Sequence, residues 1–300
     1  MQQLAILADY GDLCGESPIW DGKTGTLYWT DCVGLKFYRL QWASARHEVV
    51  KQGIEINSFT LNKPGGFVIS NNDGIWLWDG HDKIAPVLGE VNGLRCRIND
   101  SIADPAGRLF AGSWFYDPVD QYQLGNLIRL DSDGTARIVD EGFHLANGLG
   151  FSPDCKTLYF TDSAARRIYA YDYDTKTGNL HNRRVIVKVP EDEGIPDGLT
   201  VDAKGFLWSA QWYGGCIVRY DPDGKVERRI AIPAKQISSL TFGGSDLTDI
   251  FVTSAAKSEP MPIMPPGYDC ESGYFGGQLF HLNLGIQGKV EFKTNLSLKS

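Results

Sequence analysis

The chain has no CxxC pair. Its six cysteines (Cys14, Cys32, Cys96, Cys155, Cys216, Cys270) are scattered over 300 residues, which disfavours a zinc cage. The five histidines (His47, His81, His144, His181, His281) are equally dispersed. A histidine-built metal site or a Ser-His-Asp triad therefore has weak support, and no serine or cysteine sits in a nucleophile elbow. No stretch approaches the roughly 20 apolar residues of a membrane helix. Nor does any basic run offset the formal net charge of −8, which argues against nucleic acid as a partner. Solubility alone accounts for the acidic balance. Residues 4–8 are apolar, but too short a stretch for a signal-peptide core and without a basic region before them. The expectation is a cytoplasmic protein with reduced thiols and no membrane contact.

Sustained helical periodicity is also missing. In its place are 34 glycines, an aromatic content of 12%, and short alternating runs rich in β-branched and aromatic residues. Asp-Gly, Pro-Asp-Gly and Asn-Gly pairs bound these runs, as at Asp131 to Gly134 and Asp221 to Gly224. Residues 25–31 with 35–40 align closely with 156–162 and 167–171. Further copies are 66–70 with 74–78, 107–111 with 126–130, 205–209 with 216–220, and 249–253 with 278–282. The anchors Tyr28, Val68, Phe110, Tyr159, Trp208 and Phe251 recur every ~40–50 residues, the period of propeller blades. The expected fold is all-β: a six-bladed β-propeller with four-stranded antiparallel blades around a central channel, occupying residues 1–300 as a single domain. Residues 4–7 and 289–293 are expected to share a blade and close the ring. The Pro-rich insertion 258–266 interrupts the sixth unit and cannot be a strand.

Three motifs fall at matched phase in this repeat. Glu16 precedes Ile19-Trp20, Asn147 precedes Leu149-Gly150-Phe151, and Asp197 precedes Leu199-Thr200-Val201. A single Asn-Gly or Pro-Asp-Gly reads first as a turn. Three in phase, each followed by an apolar inner strand, read instead as side chains converging on the channel axis. Two carboxylates and an amide oxygen suit a hard divalent cation. A fourth copy offers Arg97, Asn99 and Asp100. Arg97 suits a planar donor to substrate oxygens or, equally, a salt bridge on a blade surface. Trp114, Trp212 and Tyr213 lie in hairpin loops, as channel rim or as inter-blade core.

At these residues the chain resembles the regucalcin/gluconolactonase (senescence-marker-protein) family of six-bladed propellers, over nearly its full length. The resemblance rests on the ordered set of Cys14 to Pro18, Arg97 to Asp100, Asp104 to Arg108, Phe110 to Gly112, Asn147-Gly148 and Pro196 to Gly198. It implies hydrolysis of a sugar lactone (gluconolactone-like) to the aldonic acid by one divalent cation, Ca²⁺ first, with Mg²⁺, Mn²⁺, Zn²⁺ or Fe²⁺ as alternatives. Glu16, Asn147 and Asp197 would be the metal ligands, and Asp197 also the general base. Arg97, Asn99 and Asp117 would bind substrate. Two other functions stay open: an aryl-ester or organophosphate hydrolase on the same metal site, and a non-catalytic calcium-binding propeller. The expected partner is a small-molecule lactone, and the expected state a monomer or small homo-oligomer.

Overall fold

The computed structural model describes residues 4–114, 124–256 and 263–297. Six four-stranded antiparallel sheets form the blades of a propeller. Blade one is Gly15–Asp21, Thr26–Asp31, Lys36–Gln41 and Arg46–Gln52, counted outward from the axis. Blade two follows with Ser58–Leu61, Phe67–Asn71, Gly74–Trp78 and Ile84–Leu88. Blade three is Ile98–Ala103, Leu109–Ser113, Gly125–Leu130 and Ala136–Phe143. Blade four is Ala146–Phe151, Thr157–Asp162, Arg167–Tyr173 and Leu180–Lys188. Blade five is Ile195–Val201, Leu207–Trp212, Cys216–Tyr220 and Val226–Ala231. Blade six takes Ile237–Gly243, Asp249–Ser254 and Gln278–Asn283 from late in the chain and Ala5–Asp9 from its start. Among the described residues the only helical element is the 3₁₀ turn Trp42–Ser44, so no helix is long enough to cross a membrane.

The six anchors hold one register. Each lies on the second strand of its blade, opposite Ile19, Thr60, Ile102, Gly150, Thr200 or Thr241 of the first. Apolar packing follows the same repeat. The buried side chains fall into six clusters, one in each wedge between neighbouring blades. Phe37 with Phe59 and Trp78 fills the wedge between blades one and two, and Trp208 with Phe242 that between blades five and six. The core is thus a ring, and the axis is left to polar side chains. Burial runs outward accordingly. Ile195–Val201 at the axis is buried at every residue, while Val226–Ala231 at the rim buries only Ile230.

Closure differs from expectation at one end of the chain. Residues 5–9 do pair with Gln278–Asn283 and complete blade six. Residues 289–293 join no blade, because that edge is already taken. The tail instead straps the lower mouth of the channel. Ala203 N donates to Gln287 O, Gly288 N to Leu247 O, Lys63 N to Thr294 O and Asn295 N to Gly107 O, at 2.7–2.9 Å, tying four blades together. The alternation that suggested a strand leaves Val290 63% exposed, while Glu291 accepts a hydrogen bond from Thr200 Oγ1 beneath the axis.

Candidate functional site

The inner strands are not regular. In blades one, three, four, five and six the ladder slips after Glu16, Ile98, Asn147, Pro196 and Ile237 respectively. Bulges re-aim side chains and end regular pairing. Register then brings one polar residue from each of these five blades to the same tier, Glu16, Asn99, Asn147, Asp197 and Ser238. Asn57, just before the regular inner strand of blade two, lines the cavity beside them. The glycines of Asn147-Gly148 and Asp197-Gly198 make no turn; both lie inside inner strands. A Cβ on Gly148 would overlap the backbone of Asp197 and Leu199, and one on Gly198 would overlap Ser239. Glycine is present because the neighbouring strand passes there. Gly148→Ala is accordingly expected to cost about 1–3 kcal/mol in urea unfolding, as overpacking does. It should also weaken cation binding measured calorimetrically, since Asn147 and Asp197 flank that contact.

Polar links run blade to blade around the tier. Ser17 Oγ donates to Asn57 O (3.2 Å), Asn57 Nδ2 to Ile98 O (2.8 Å), and Asn99 Nδ2 to Ala146 O (2.9 Å). The Asn147 side chain bonds Asp197, and Ser238 Oγ reaches Gly15 O (2.5 Å). Each asparagine that spends its NH₂ on the next blade presents its Oδ1 as the remaining function, an acceptor. Two buried aspartates fix the segments leading in. Asp31 accepts from Leu13 N, Cys14 N and Gly34 N, and Asp162 from His144 N, Leu145 N and Ala165 N. Ser17 pays for the bulge with φ 48°, in the left-handed region.

Glu16, Asn57, Asn99, Asp100, Asn147 and Asp197 all line one cavity of about 140 Å³ on the axis. Among the described residues, no lysine or arginine lines it. Asp100 forms its floor, shared with a lower cavity of about 60 Å³ that Glu291 and Phe292 of the tail close. With no cationic side chain among the described lining residues, burial and mutual repulsion hold protons on these acids. Burial first, then Asp100, raises Glu16 to about 8. Burial, then Glu16 and Asp100, pushes Asp197 well above the usual carboxylate range. Asp100 is raised to about 6 by burial, against the hydrogen bond from Ser101 N. Asp197 Oδ1 is buried without a hydrogen-bond partner among the described residues. Hard oxygens, uncompensated charge and an orphaned carboxylate oxygen fit a divalent cation. Among the described residues no group of three or more His, Cys, Asp and Glu side chains forms a metal centre by itself. The donor set here mixes carboxylates with amides.

The residues expected from sequence are not all gathered. Glu16, Asn99, Asn147 and Asp197 share the cavity. Arg97 does not line it; its guanidinium lies over the Trp114 ring, 6.0 Å from the centroid. Asp117 lies outside the described residues. Trp212 lines the cavity, whereas Tyr213 is buried against Tyr268, 4.5 Å between centroids. Asn57, Cys32 and Ser163 are lining residues that sequence reasoning missed. Aligning Thr30-Asp31-Cys32 with Thr161-Asp162-Ser163 in the repeat was the available signal for the last two. Ile263 O, in the described part of the insertion, accepts from Arg166 Nη2 at 2.9 Å, and residues 258–262 lie outside the described residues.

Residues 14–256 match the model of the family described as "SMP-30/Gluconolactonase/LRE-like region". The chain belongs to this family. It is 35% identical to pentonolactonase XacC of Haloferax volcanii over 286 residues, covering 95% of each chain. Two solved structures carry the family fold. A luciferin-regenerating enzyme superposes with a TM-score of 0.87 at 28% identity, covering 99% of this chain and 100% of the other. A calcium-binding protein, regucalcin, from Agrobacterium tumefaciens superposes with a TM-score of 0.82 at 26% identity, covering 98% and 97%. The family's match begins at Cys14, where the first bulged strand enters the cavity.

Proposed function

We propose that the protein hydrolyses a sugar lactone to its aldonic acid with the help of one divalent cation, Ca²⁺ first. The observation that carries this reading is the acceptor-lined axial cavity, in which a buried oxygen of Asp197 has no partner among the described residues. The likeness to a pentonolactonase over 95% of the chain supports the reaction class, and the likeness to a calcium-binding regucalcin supports the cation.

Glu16, Asn147 and Asp197 would hold the cation; when bound, such an ion polarises a carbonyl and acidifies water. The remaining steps belong to the chain's own groups. Asp197 takes a proton from the attacking water as the water oxygen bonds to the carbonyl carbon. The ring C–O bond then breaks, and the leaving ring oxygen recovers that proton. Asn57 and Asn99 offer amide oxygens to sugar hydroxyls, because their NH₂ groups are committed to the next blade. Arg97, over Trp114, would contact substrate, and Asp117 keeps the substrate-binding role expected of it from the sequence.

The test strips the protein with chelator and restores Ca²⁺, Mg²⁺, Mn²⁺, Zn²⁺ or Fe²⁺ singly. Acid release is followed on five- and six-carbon aldonolactones and on aryl esters. Cation-dependent turnover of lactones ahead of aryl esters is expected. Turnover indifferent to chelator would remove the cation from the mechanism, and tight Ca²⁺ binding with no lactone turnover would favour a purely calcium-binding role.

A further inference from the structure

The acceptor tier leaves two buried donors unexplained. One level above it on the repeat stand the residues that follow Asp31, Ser113, Asp162 and Gln211, each of which pairs with the residue before a tier position. They are Cys32, Trp114, Ser163 and Trp212. Ser163 Oγ and Trp212 Nε1 both belong to residues lining the axial cavity, and both atoms are buried with no hydrogen-bond partner among the described residues. Ser163 is only 3% exposed. Buried donors are nearly always satisfied, and an unsatisfied pair on one cavity wall points to a ligand. The two come from blades four and five, the same blades that contribute Asn147 and Asp197.

We propose that Ser163 Oγ–H and Trp212 Nε1–H form a donor subsite for the ester end of the lactone, and for the carboxylate of the acid it becomes. This rests on the lactone reading above. An indole N–H donates and cannot accept, so its partner must offer a lone pair. Sugar hydroxyls can donate to the amide oxygens of Asn57 and Asn99. The oxygens of a polyhydroxylated lactone that carry no hydrogen are the carbonyl and ring oxygens, and both belong to the ester group. The donor wall therefore fixes that group beside Asp197, while the acceptor wall takes the hydroxyl-bearing carbons. Substrate orientation follows from the two walls having opposite hydrogen-bonding character.

The experiment measures equilibrium binding to the full chain in saturating Ca²⁺, with sodium gluconate and sodium xylonate as probes and sorbitol as the polyol lacking a carboxylate. Trp212→Phe keeps the aromatic face and removes the N–H; Ser163→Ala removes the hydroxyl. Each is expected to weaken aldonate binding about tenfold, the loss of one charge-assisted hydrogen bond. Ca²⁺ affinity, circular dichroism and sorbitol binding should stay unchanged. Wild type should also show an aldonate-induced shift of the indole absorption band that Trp212→Phe lacks. If both variants bind aldonates and turn over lactone as wild type does, the subsite is overturned while the lactone reading stands. If wild type neither hydrolyses lactones nor binds aldonates, the lactone reading fails and the subsite with it.

Discussion

Asp197→Asn is expected to fold, to lose lactone hydrolysis by about 10²–10⁴-fold, and to be more heat-stable than wild type when both are free of cations. The first two outcomes follow from position. Asp197 lies on the bulged inner strand of blade five, in contact with Asn147, and its Oδ1 is buried with no partner among the described residues. An amide preserves the shape and can still accept from Asn147. It removes the negative charge that would hold a cation and the basicity that would take a proton from water. The third outcome follows from the electrostatics. Burial, Glu16 and Asp100 all work against ionised Asp197, so at neutral pH folding without a cation must draw a proton onto a group that is ionised in the unfolded chain, a cost the neutral amide does not carry. Relief of a strained functional group at the expense of activity is a familiar trade. Calorimetric Ca²⁺ titration, thermal unfolding in chelator and lactone kinetics on the same preparations check all three. An active, cation-binding Asp197→Asn would refute the assignment.

Much of this arrangement is legible in the primary structure, and the reason is repetition. Once Tyr28, Tyr159 and Trp208 are recognised as one position on the second strand, Glu16, Asn147 and Asp197 fall at one register on the first. No geometry is needed for that step. Asn57 escaped because blade two pairs Ser58 with Ser70 in regular register and has no glycine after its polar residue, so the signature is absent. Gly148 and Gly198 resemble turn residues because turns and close backbone approach both demand a missing side chain. Only the neighbouring strand shows which demand applies here. Residues 289–293 alternate like a strand, yet no sequence pattern states that the edge of blade six is already filled by residues 5–9. Arg97 kept two readings open from sequence, and its place over Trp114 depends on a side-chain contact that spacing does not encode.

Cation binding is expected to stabilise the protein more strongly as the pH rises. In the cation-free chain Asp100 is raised to about 6, Glu16 to about 8, and Asp197 well beyond the ordinary range. A carboxyl whose pKa is higher folded than unfolded favours the folded state while it stays protonated. That contribution is complete below the unfolded values of 3.8 and 4.5 and is lost as pH passes through the folded ones. Between about pH 5 and pH 9 the cation-free protein should therefore lose melting temperature as first Asp100 and then Glu16 ionises. Asp12, raised to about 6 mainly by burial, adds to the same decline. A bound divalent cation favours the ionised carboxylates and so cancels the cavity's share of the loss, whereas Asp12 contributes equally with and without cation. The difference between melting in Ca²⁺ and in chelator isolates the cavity. At a hundredfold excess over Kd the stabilisation is about 2.7 kcal/mol, or roughly 4 °C for a chain of this size. It should shrink toward pH 5. Titration calorimetry in buffers of different ionisation heat should show protons released on Ca²⁺ binding at neutral pH, since the ligands must shed them to bind. A Ca²⁺ stabilisation that grew on acidification, or binding without proton release, would show that the acids are not the cation's ligands.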